Sequence, residues 1–377
     1  MQITQNILDY IADHRQEAFD LLVELAKIPA PSNHEEKRAA FCKEWLEKQG
    51  AEGVYIDKAL NVIYPVGCEE GKPIAVFMAH TDVVFPDMEE LPLVIEDGKI
   101  KCPGVGDDTA NLVALLMVAK YITENKLQPK DVGVLLIANS GEEGLGNLRG
   151  SRQIMEDFGS RVTEFVTFDG GPGAITTVAV GSHRYRVEVE TEGGHSYGKF
   201  GNRNAIAYLA SLISTLYDMK VPEKGKTTYN VGLISGGTSV NTIAQHAEML
   251  YEYRSDDQES LEIMRKHYET ALEFYRAKGI TVKSTLVGNR PCGGNVDPEK
   301  HQILIDRAIA AVQHHYNRTP VLKSGSTDCN YPLSMGIPAI CPGCYIGGGA
   351  HTRGEYVEID SLQPGIGVAF ELILHHF

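Results

Sequence analysis

Short apolar runs alternate with helical patterns through the first half of the chain. Residues 73–80 and 132–140 are nearly continuous apolar runs, and residues 111–125 between them repeat Leu, Val and Ala at helical spacing. Continuous apolar runs are typical of strands that are buried on both faces of a sheet. Such strands in alternation with helices indicate an α/β domain with a mostly parallel sheet flanked by helices.

The two ends of the chain add helices to this domain. Residues 3–50 have the pattern of two helices broken at the segment IPAPSN, and Ser32 and Asn33 are N-cap candidates for the second helix. Towards the C-terminus the pattern predicts a helix over 303–316, a strand in IPAICPG and a final helix from about residue 361. We therefore expect the C-terminal part to complete the sheet of the first part.

A different pattern begins near Gly181, where RYRVEVETEG alternates apolar and polar residues as a strand with one solvated face does. The elements that follow give the order strand, helix, strand, strand, helix, strand, which is that of a ferredoxin-like α+β unit. The simplest organisation is a small domain inserted into a larger one. The predicted boundaries are residues 1–182 for the first part of the larger domain, 183–288 for the insertion and 289–377 for the second part.

Composition and charge restrict the class of protein. A chain of 377 residues exceeds what one hydrophobic core usually accommodates, which agrees with two domains. The formal net charge of −15 repels phosphate backbones, so nucleic acid is not expected as a partner. A membrane partner is not expected either, because no apolar run approaches roughly 20 residues and the N-terminal segment lacks a signal-peptide pattern. Seven scattered cysteines do not suggest a disulfide framework, and the expected location is cytoplasmic.

Candidate chemical groups occur where predicted strands end. His80 and Asp82 follow the apolar run IAVFMA, Glu142 and Glu143 follow VGVLLIAN, and Asp169 follows FVTF. Each has an ordinary structural interpretation, as a hydrogen-bonded turn histidine or as solvated acids. In open α/β sheets, however, functional groups collect at the carboxyl ends of the strands. The same edge of the sheet is therefore expected to carry all of these side chains.

Three more residues belong to this set. Asp107 and Asp108 precede a predicted helix, where adjacent acids are also an ordinary N-terminal charge pattern, and His351 lies in the glycine-rich segment GGGAHTRGEY. Two histidines and several carboxylates at one site suit zinc, cobalt or manganese. A two-metal site needs a bridging carboxylate and a further glutamate left as a base, and the adjacent Glu142 and Glu143 offer one residue for each role.

An ordered series of motifs covers essentially the whole chain. The motifs are MAHTDVV, GVGDDTAN, SGEEGLGNLRGSR, TFDGG, GGHSYGKFGNRNAI, GGTSVNTIA, SGSTDCNYPLSMGIP and AHTRGEYVEI, in that order. In this series the chain resembles the family of dinuclear zinc hydrolases that includes peptidase T, acetylornithine deacetylase, succinyl-diaminopimelate desuccinylase, aminoacylase and bacterial glutamate carboxypeptidase. The resemblance implies a zinc exopeptidase-like fold in which the inserted ferredoxin-like unit is a lid domain.

The resemblance implies two divalent metal ions, with Zn²⁺ as the first candidate and Co²⁺ or Mn²⁺ as alternatives. By this resemblance Asp107 bridges the two ions, and the peptide bond that follows it is cis. His80 and Asp169 complete the ligands of one ion, and Glu143 and His351 complete those of the other.

Roles for the remaining residues also come from the resemblance. Glu142 is the general base that takes a proton from the bridging water and passes it to the leaving nitrogen, and Asp82 holds the metal-bound histidine. In the lid, His195 matches a histidine that contacts the oxyanion, often from the partner subunit in dimeric relatives. A homodimer through the lid and a monomer therefore both stay open. The implied substrate contacts are Asn241, Arg254 and Asp328.

The implied activity is metal-dependent hydrolysis of an amide bond in a small peptide. GGTSVNTIA and AHTRGEYVEI look more like the peptidase T side of the family, which favours a di- or tripeptide aminopeptidase. The alternative is an N-acyl amino acid deacylase of the acetylornithine deacetylase type, and a requirement for a free α-amino group distinguishes the two. A non-catalytic binding protein would have lost the base or the bridging ligand, whereas Glu142 and Asp107 are both present. A nucleotide-binding fold is disfavoured because no G-x-G-x-x-G follows the first strand.

Overall fold

The chain forms two compact units in the computed structural model, which describes residues 3–377. The first unit comprises the chain up to Ala179 and again Asn295–Phe377, and the second is Val180–Gly294. The helices are α1 (Gln5–Asp13), α2 (Arg15–Lys27), α3 (Glu36–Lys48), α4 (Asn111–Glu124), α5 (Arg149–Phe158), α6 (Ala205–Tyr217), α7 (Gln258–Ala277), α8 (Pro298–Tyr316), α9 (Asn330–Ser334) and α10 (Leu362–Ile373). The strands are β1 (Tyr55–Ile56), β2 (Val62–Val66), β3 (Ile74–His80), β4 (Val94–Glu96), β5 (Lys99–Lys101), β6 (Gly133–Asn139), β7 (Val162–Thr167), β8 (Ala174–Ala179), β9 (Gly181–Glu190), β10 (Gly194–His195), β11 (Thr227–Gly236), β12 (Thr242–Ile243), β13 (His246–Ser255), β14 (Thr281–Arg290), β15 (Val321–Gly325), β16 (Ala339–Pro342), β17 (Gly347–Gly348) and β18 (Tyr356–Glu358).

The first unit is built on an eight-stranded sheet with the order β1-β2-β6-β3-β7-β16-β8-β15. The central strands β6, β3, β7 and β16 are parallel to one another, as are β8 and β15, and the other neighbouring pairs are antiparallel. Along β3, Ala75 and Phe77 belong to a core that includes α2, α4 and α10, whereas Val76 and Met78 belong to a core that includes α5 and α9. Every residue of β3 and β6 is buried, as expected for strands covered by helices on both faces. The prediction of a mostly parallel sheet flanked by helices is confirmed.

The second unit is an antiparallel sheet with two helices. Its strand order is β11-β13-β9-β14, and α6 and α7 are inserted to give the chain order β9-α6-β11-β13-α7-β14. Alternate residues of β13, including Met249, Tyr251 and Tyr253, are buried in a core shared with both helices. This is the arrangement of the predicted ferredoxin-like unit, which is confirmed.

The N-terminal region differs from the prediction. It contains three helices rather than two, because the chain leaves helical geometry at His14, and α3 is preceded by Glu35 rather than by Ser32 or Asn33. The predicted caps lie in a turn upstream of the helix: Asn33 has a positive φ of 73°, and the hydroxyl of Ser32 donates to Asp82. The side chain of Asn33 also has another partner, since Arg149 donates to its Oδ1 at 3.1 Å. Among the described residues, the helices are too short or too polar for any of them to cross a bilayer.

Candidate metal centre

Three neighbouring strands of the first unit end with acidic and histidine side chains. β3 ends at His80, β6 leads into Glu142 and Glu143, and β7 leads into Asp169. Since β3 pairs in parallel with both β6 and β7, the three carboxyl ends lie side by side. The edge of the sheet that the sequence pattern predicted therefore does carry these residues.

Asp107 contacts two histidines. It lies in a π-helical turn that leads into α4, and its peptide bond to Asp108 is cis, as expected. One carboxylate oxygen is 3.1 Å from His80 Nε2, and the other is 3.1 Å from His351 Nε2. The same nitrogen of His351 is 3.0 Å from Glu143 Oε1. Hydrogen bonds to Asp107 and then to Glu143 raise the pKa of His351 to about 10. The carboxylate of Asp107 thus lies between two imidazoles.

The tautomer of His80 is fixed by Asp82. The ring of His80 is buried, and its Nδ1 lies 3.0 Å from the main-chain oxygen of Asp82 and 3.5 Å from the carboxylate oxygen Oδ1. Because a carbonyl oxygen only accepts, Nδ1 carries the proton and Nε2 is the nitrogen that faces Asp107. An oxygen that accepts the ring N–H of a metal-bound histidine, and so orients the ring, has this geometry.

The carboxylate of Asp82 also fixes the loop that carries the two glutamates. Its oxygens accept the backbone N–H groups of Glu142 and Glu143 at 3.0 and 2.9 Å, and the hydroxyl of Ser32 at 2.6 Å. Burial would raise the pKa of Asp82, but hydrogen bonds from His80, Ser32 and the Glu143 backbone lower it. Glu142 itself is only 6% exposed. One buried anion therefore holds the backbone of this loop in place.

Donor atoms from several residues crowd together at this edge. Those of His80, Asp107 and Glu143 all lie within 4.8 Å of one another, and so do those of His80, Asp108 and Asp169. Burial, followed by the charge of Asp107, raises the pKa of Asp169 to about 7, and burial raises the pKa of Asp108 as well. Buried carboxylates that repel one another are stabilised by cations. Imidazole and carboxylate donors together suit first-row divalent ions, so this donor set fits the expected metals.

Glu355, which the sequence analysis did not single out, holds the loop before Asp107. Its buried carboxylate accepts backbone N–H groups from Gly104 and Gly106 at 2.8 Å each and from Asp107 at 2.6 Å. It belongs to the motif AHTRGEYVEI, four residues after His351, and that proximity was the available signal.

Arg38 is a second buried residue that was missed. Its guanidinium donates to the carbonyl oxygens of Ile28 at 2.8 Å and Thr81 at 2.9 Å, and to Thr109 Oγ1 at 3.1 Å. Thr81 lies between His80 and Asp82, so Arg38 ties helix α3 to the end of strand β3. Nothing in the local sequence of α3 indicates this contact.

The predicted lid residues belong to the second unit. His195 in β10 accepts the backbone N–H groups of Tyr197 and Gly198 at Nδ1, each at 3.3 Å, so its proton lies on Nε2. In the β10–β12 pair His195 lies opposite Thr242, and the carbonyl oxygen of Asn241, the residue before β12, accepts the N–H of Ser196 at 2.9 Å. Both side chains therefore share one small ribbon.

Two predicted substrate residues have partners of their own. Arg254 in β13 makes a two-pronged ion pair with Glu252, with both nitrogen–oxygen distances at 2.9 Å. Asp328 in the first unit is buried and accepts from Asn139 Nδ2 at 2.6 Å. Burial raises the pKa of Asp328. The structure thus brings the predicted metal ligands together in the first unit and places Glu142 in the adjoining loop, while His195, Asn241 and Arg254 lie in the second unit.

The sequence profile of the peptidase family M20/M25/M40 matches residues 76–375. The chain belongs to this family. The resemblance drawn from the motifs is therefore confirmed. Among curated relatives, the uncharacterized protein YqjE of Bacillus subtilis (strain 168) is 24% identical over 269 residues, which are 67% of this chain and 69% of the relative. The chain spans between 50% and 61% of the length of several fungal proteins described as probable carboxypeptidases.

Several solved structures of peptidases have the same fold. A tripeptidase from Staphylococcus aureus subsp. aureus Mu50 is 21% identical, with 95% of this chain and 97% of that chain covered and a TM-score of 0.74. The aminopeptidase PepT from Bacillus cereus ATCC 10987 is 21% identical, with 95% and 98% covered and a TM-score of 0.71. YxeP of Bacillus subtilis, a dinuclear metal-binding peptidase of the M20 family, is 16% identical, with 97% and 100% covered and a TM-score of 0.66.

One curated relative has a higher sequence identity over a shorter stretch of the chain. A putative [LysW]-lysine/[LysW]-ornithine hydrolase of Pyrococcus abyssi (strain GE5 / Orsay) is 38% identical over 103 residues, which are 27% of this chain and 28% of that protein.

Proposed function

We propose that this M20-family chain is a metal-dependent aminopeptidase that releases the N-terminal residue of di- or tripeptides. The observation that carries the proposal is the position of Asp107, whose two carboxylate oxygens each lie 3.1 Å from a histidine, one from His80 and one from His351. A carboxylate between two such donor sets is suited to bridge two cations in a hydrolase. The likeness in fold to the aminopeptidase PepT and to the tripeptidase supports a peptide substrate.

In this proposal two divalent cations, with zinc as the first candidate and cobalt or manganese as alternatives, bind at the sheet edge. Asp107 would hold both ions, His80 and Asp169 one of them, and Glu143 and His351 the other. Bound there, the ions would polarise the substrate carbonyl and lower the pKa of water. The likeness to a dinuclear metal-binding peptidase supports this count.

Glu142 moves the proton in the proposed reaction. A carboxylate oxygen of Glu142 accepts a proton from the attacking water and then donates it to the leaving amine nitrogen. Its backbone N–H is held by Asp82 at 3.0 Å, and its low exposure limits competing solvent. His195 is proposed as a hydrogen-bond donor to the substrate oxygen, since Nδ1 already accepts two backbone N–H groups and Nε2 carries the proton.

The second candidate function is an N-acyl amino acid deacylase. The match to the putative hydrolase of Pyrococcus abyssi favours it. Both reactions break an amide bond with the same proton transfers, so the residues at the sheet edge serve either one. The difference lies in the substrate nitrogen, which is free in a peptide N-terminus and acylated in a deacylase substrate.

The test is hydrolysis of a small panel by the zinc-, cobalt- or manganese-loaded protein. The panel contains dipeptides and tripeptides with free N-termini, the same peptides acetylated, and N-acetyl amino acids. Glu142→Gln should lower kcat by about 10²–10⁴-fold with unchanged metal content, whereas the exposed surface change Glu70→Gln should not. Cleavage of unblocked peptides alone supports the aminopeptidase, and cleavage of blocked substrates alone supports the deacylase. No turnover by the metal-loaded wild type would overturn both.

A further inference from the structure

A second group of metal-type donors lies in the first unit, where the end of α8 packs against α10. His314 Nδ1 is 2.8 Å from Glu371 Oε2, and His315 Nε2 is 3.1 Å from the same oxygen. The two ring centroids are 4.6 Å apart, and the three donor atoms all lie within 4.8 Å of one another. None of these residues belongs to the candidate metal centre at the sheet edge.

The local packing of α8 and α10 allows both histidines to reach the same oxygen of Glu371. Successive helical residues point about 100° apart, so two adjacent histidines reach one oxygen only when a partner helix presents it between them. Glu371 of α10 does so. On α10, a Cβ built at Gly367 would come within 2.4 Å of the His315 ring, so glycine leaves the space that the imidazole occupies. The side chains of His315 and Glu371 are each 8% exposed, while that of His314 is 31% exposed.

The group opens to solvent on one side. A shallow cavity of about 330 Å³ is lined by both histidines together with Leu8, Ile11 and Pro364. A hydrated ion can therefore approach the donors without rearrangement of the core. Burial would raise the pKa of Glu371, but hydrogen bonds from His315 and His314 lower it, which keeps the carboxylate ionised at neutral pH.

We propose that His314, His315 and Glu371 form a binding site for one zinc-type divalent cation, separate from the candidate metal centre. Two imidazoles and one carboxylate are a zinc donor set, and the cavity leaves a further position for water. Carboxylate and imidazole also form ordinary hydrogen-bonded clusters without a metal, and that is the interpretation against which the proposal is tested. The proposal does not depend on the catalytic function.

The test counts zinc bound to the full chain after equilibrium dialysis against buffered, micromolar free zinc. Wild type should bind one ion per chain more than His314→Gln and one more than Glu371→Gln. Changes in residues that merely orient metal ligands cost about 10–100-fold in affinity, so loss of a ligand should weaken this site by at least that factor. His375→Gln, which alters another consecutive histidine pair of the same unit, is the matched control and should bind as much as wild type.

The design separates this site from the proposed active site. The zinc bound at the sheet edge is the same in wild type and variants, so it cancels in the difference between them. Peptide hydrolysis should be equal in wild type and in the three variants. His314 is partly exposed, which makes its substitution the safer one for folding, and circular dichroism checks each variant. Equal zinc content in wild type, His314→Gln and Glu371→Gln would overturn the proposal and leave a hydrogen-bonded cluster.

Discussion

Arg38→Met should destabilise the protein and loosen the candidate metal centre, although Arg38 lies in helix α3 and none of the candidate ligands does. The guanidinium is fully buried and donates to Ile28 O, Thr81 O and Thr109 Oγ1, with a longer contact of 3.5 Å to Ala26 O. Methionine is similarly long and can fill the space, but it has no donor. The variant therefore removes a buried donor from the carbonyl oxygens of Ile28 and Thr81 and from Thr109 Oγ1, although the Thr109 hydroxyl keeps its own bond to Gly104 O.

The magnitude follows from the hydrogen bonds that are lost. A hydrogen bond that involves a charged group contributes about 1.5–3 kcal/mol, net of the water contacts that it replaces. Burial lowers the pKa of Arg38 from 12.5 to about 10, so the fold compensates this charge only in part and the lower end of that range applies. Three bonds at about 1.5 kcal/mol each give a fall of about 4.5 kcal/mol in the free energy of unfolding.

Equilibrium unfolding in urea measures this change, and zinc titration measures its effect on the site. Because Thr81 joins His80 to Asp82, the variant should also bind zinc more weakly than wild type. Lys37→Met, the adjacent exposed position on α3, is the control and should shift the unfolding free energy by less than about 0.5 kcal/mol. An Arg38→Met protein as stable as the control would show that the hydrogen bonds do not outweigh the buried charge.

Three further predictions concern stability. Burial would raise the pKa of Glu164, but His376 and Arg307 lower it to about 2. The ionised Glu164 therefore stabilises the fold fully above about pH 4.5, and this stabilisation is lost as the pH falls towards 2. In urea titrations at acid pH, Glu164→Gln should remove about 3 kcal/mol of this pH dependence. Phe77→Ala, in the buried strand β3, should cost about 3–5 kcal/mol in thermal unfolding. Asp257→Ala removes the N-cap of α7 and should cost about 1 kcal/mol without changing zinc content. An unchanged pH profile would contradict the first prediction, an unchanged melting temperature the second, and an unchanged unfolding midpoint the third.

The elements that the sequence predicted well are those whose pattern is local. Helix α7 takes its place in the predicted order of the inserted unit, because its apolar stripe follows a capping aspartate. The strand β15 was not predicted, since four of its five residues are exposed and no apolar run marks it. It exists through parallel pairing with β8, about 150 residues earlier in the chain. Long-range pairing of this kind leaves no periodic signal.

The same division holds at the candidate site. Residues at strand ends, such as His80 and Glu143, could be found because strand ends are visible in the apolar pattern and the motifs follow them. Ser32, Arg38 and Glu355 could not be found in this way. Ser32 meets its partner 50 positions away, and Glu355 meets the Asp107 backbone 248 positions away. Contacts between residues that are far apart in the sequence position the candidate site, whereas the motifs indicate its chemistry.

Asp82 shows why those supporting contacts matter for the proposed reaction. Its main-chain oxygen sets the tautomer of His80, and its carboxylate holds the backbone of Glu142 and Glu143. A single buried residue therefore fixes a proposed metal ligand from β3 and the proposed base from the loop after β6. The hydroxyl of Ser32 also donates to this carboxylate. A shift of Asp82 is therefore transmitted to the loop that carries the base as well as to the histidine. The proposed ligand and the proposed base are thus coupled through one residue, and a change at Asp82 should affect metal binding and proton transfer together.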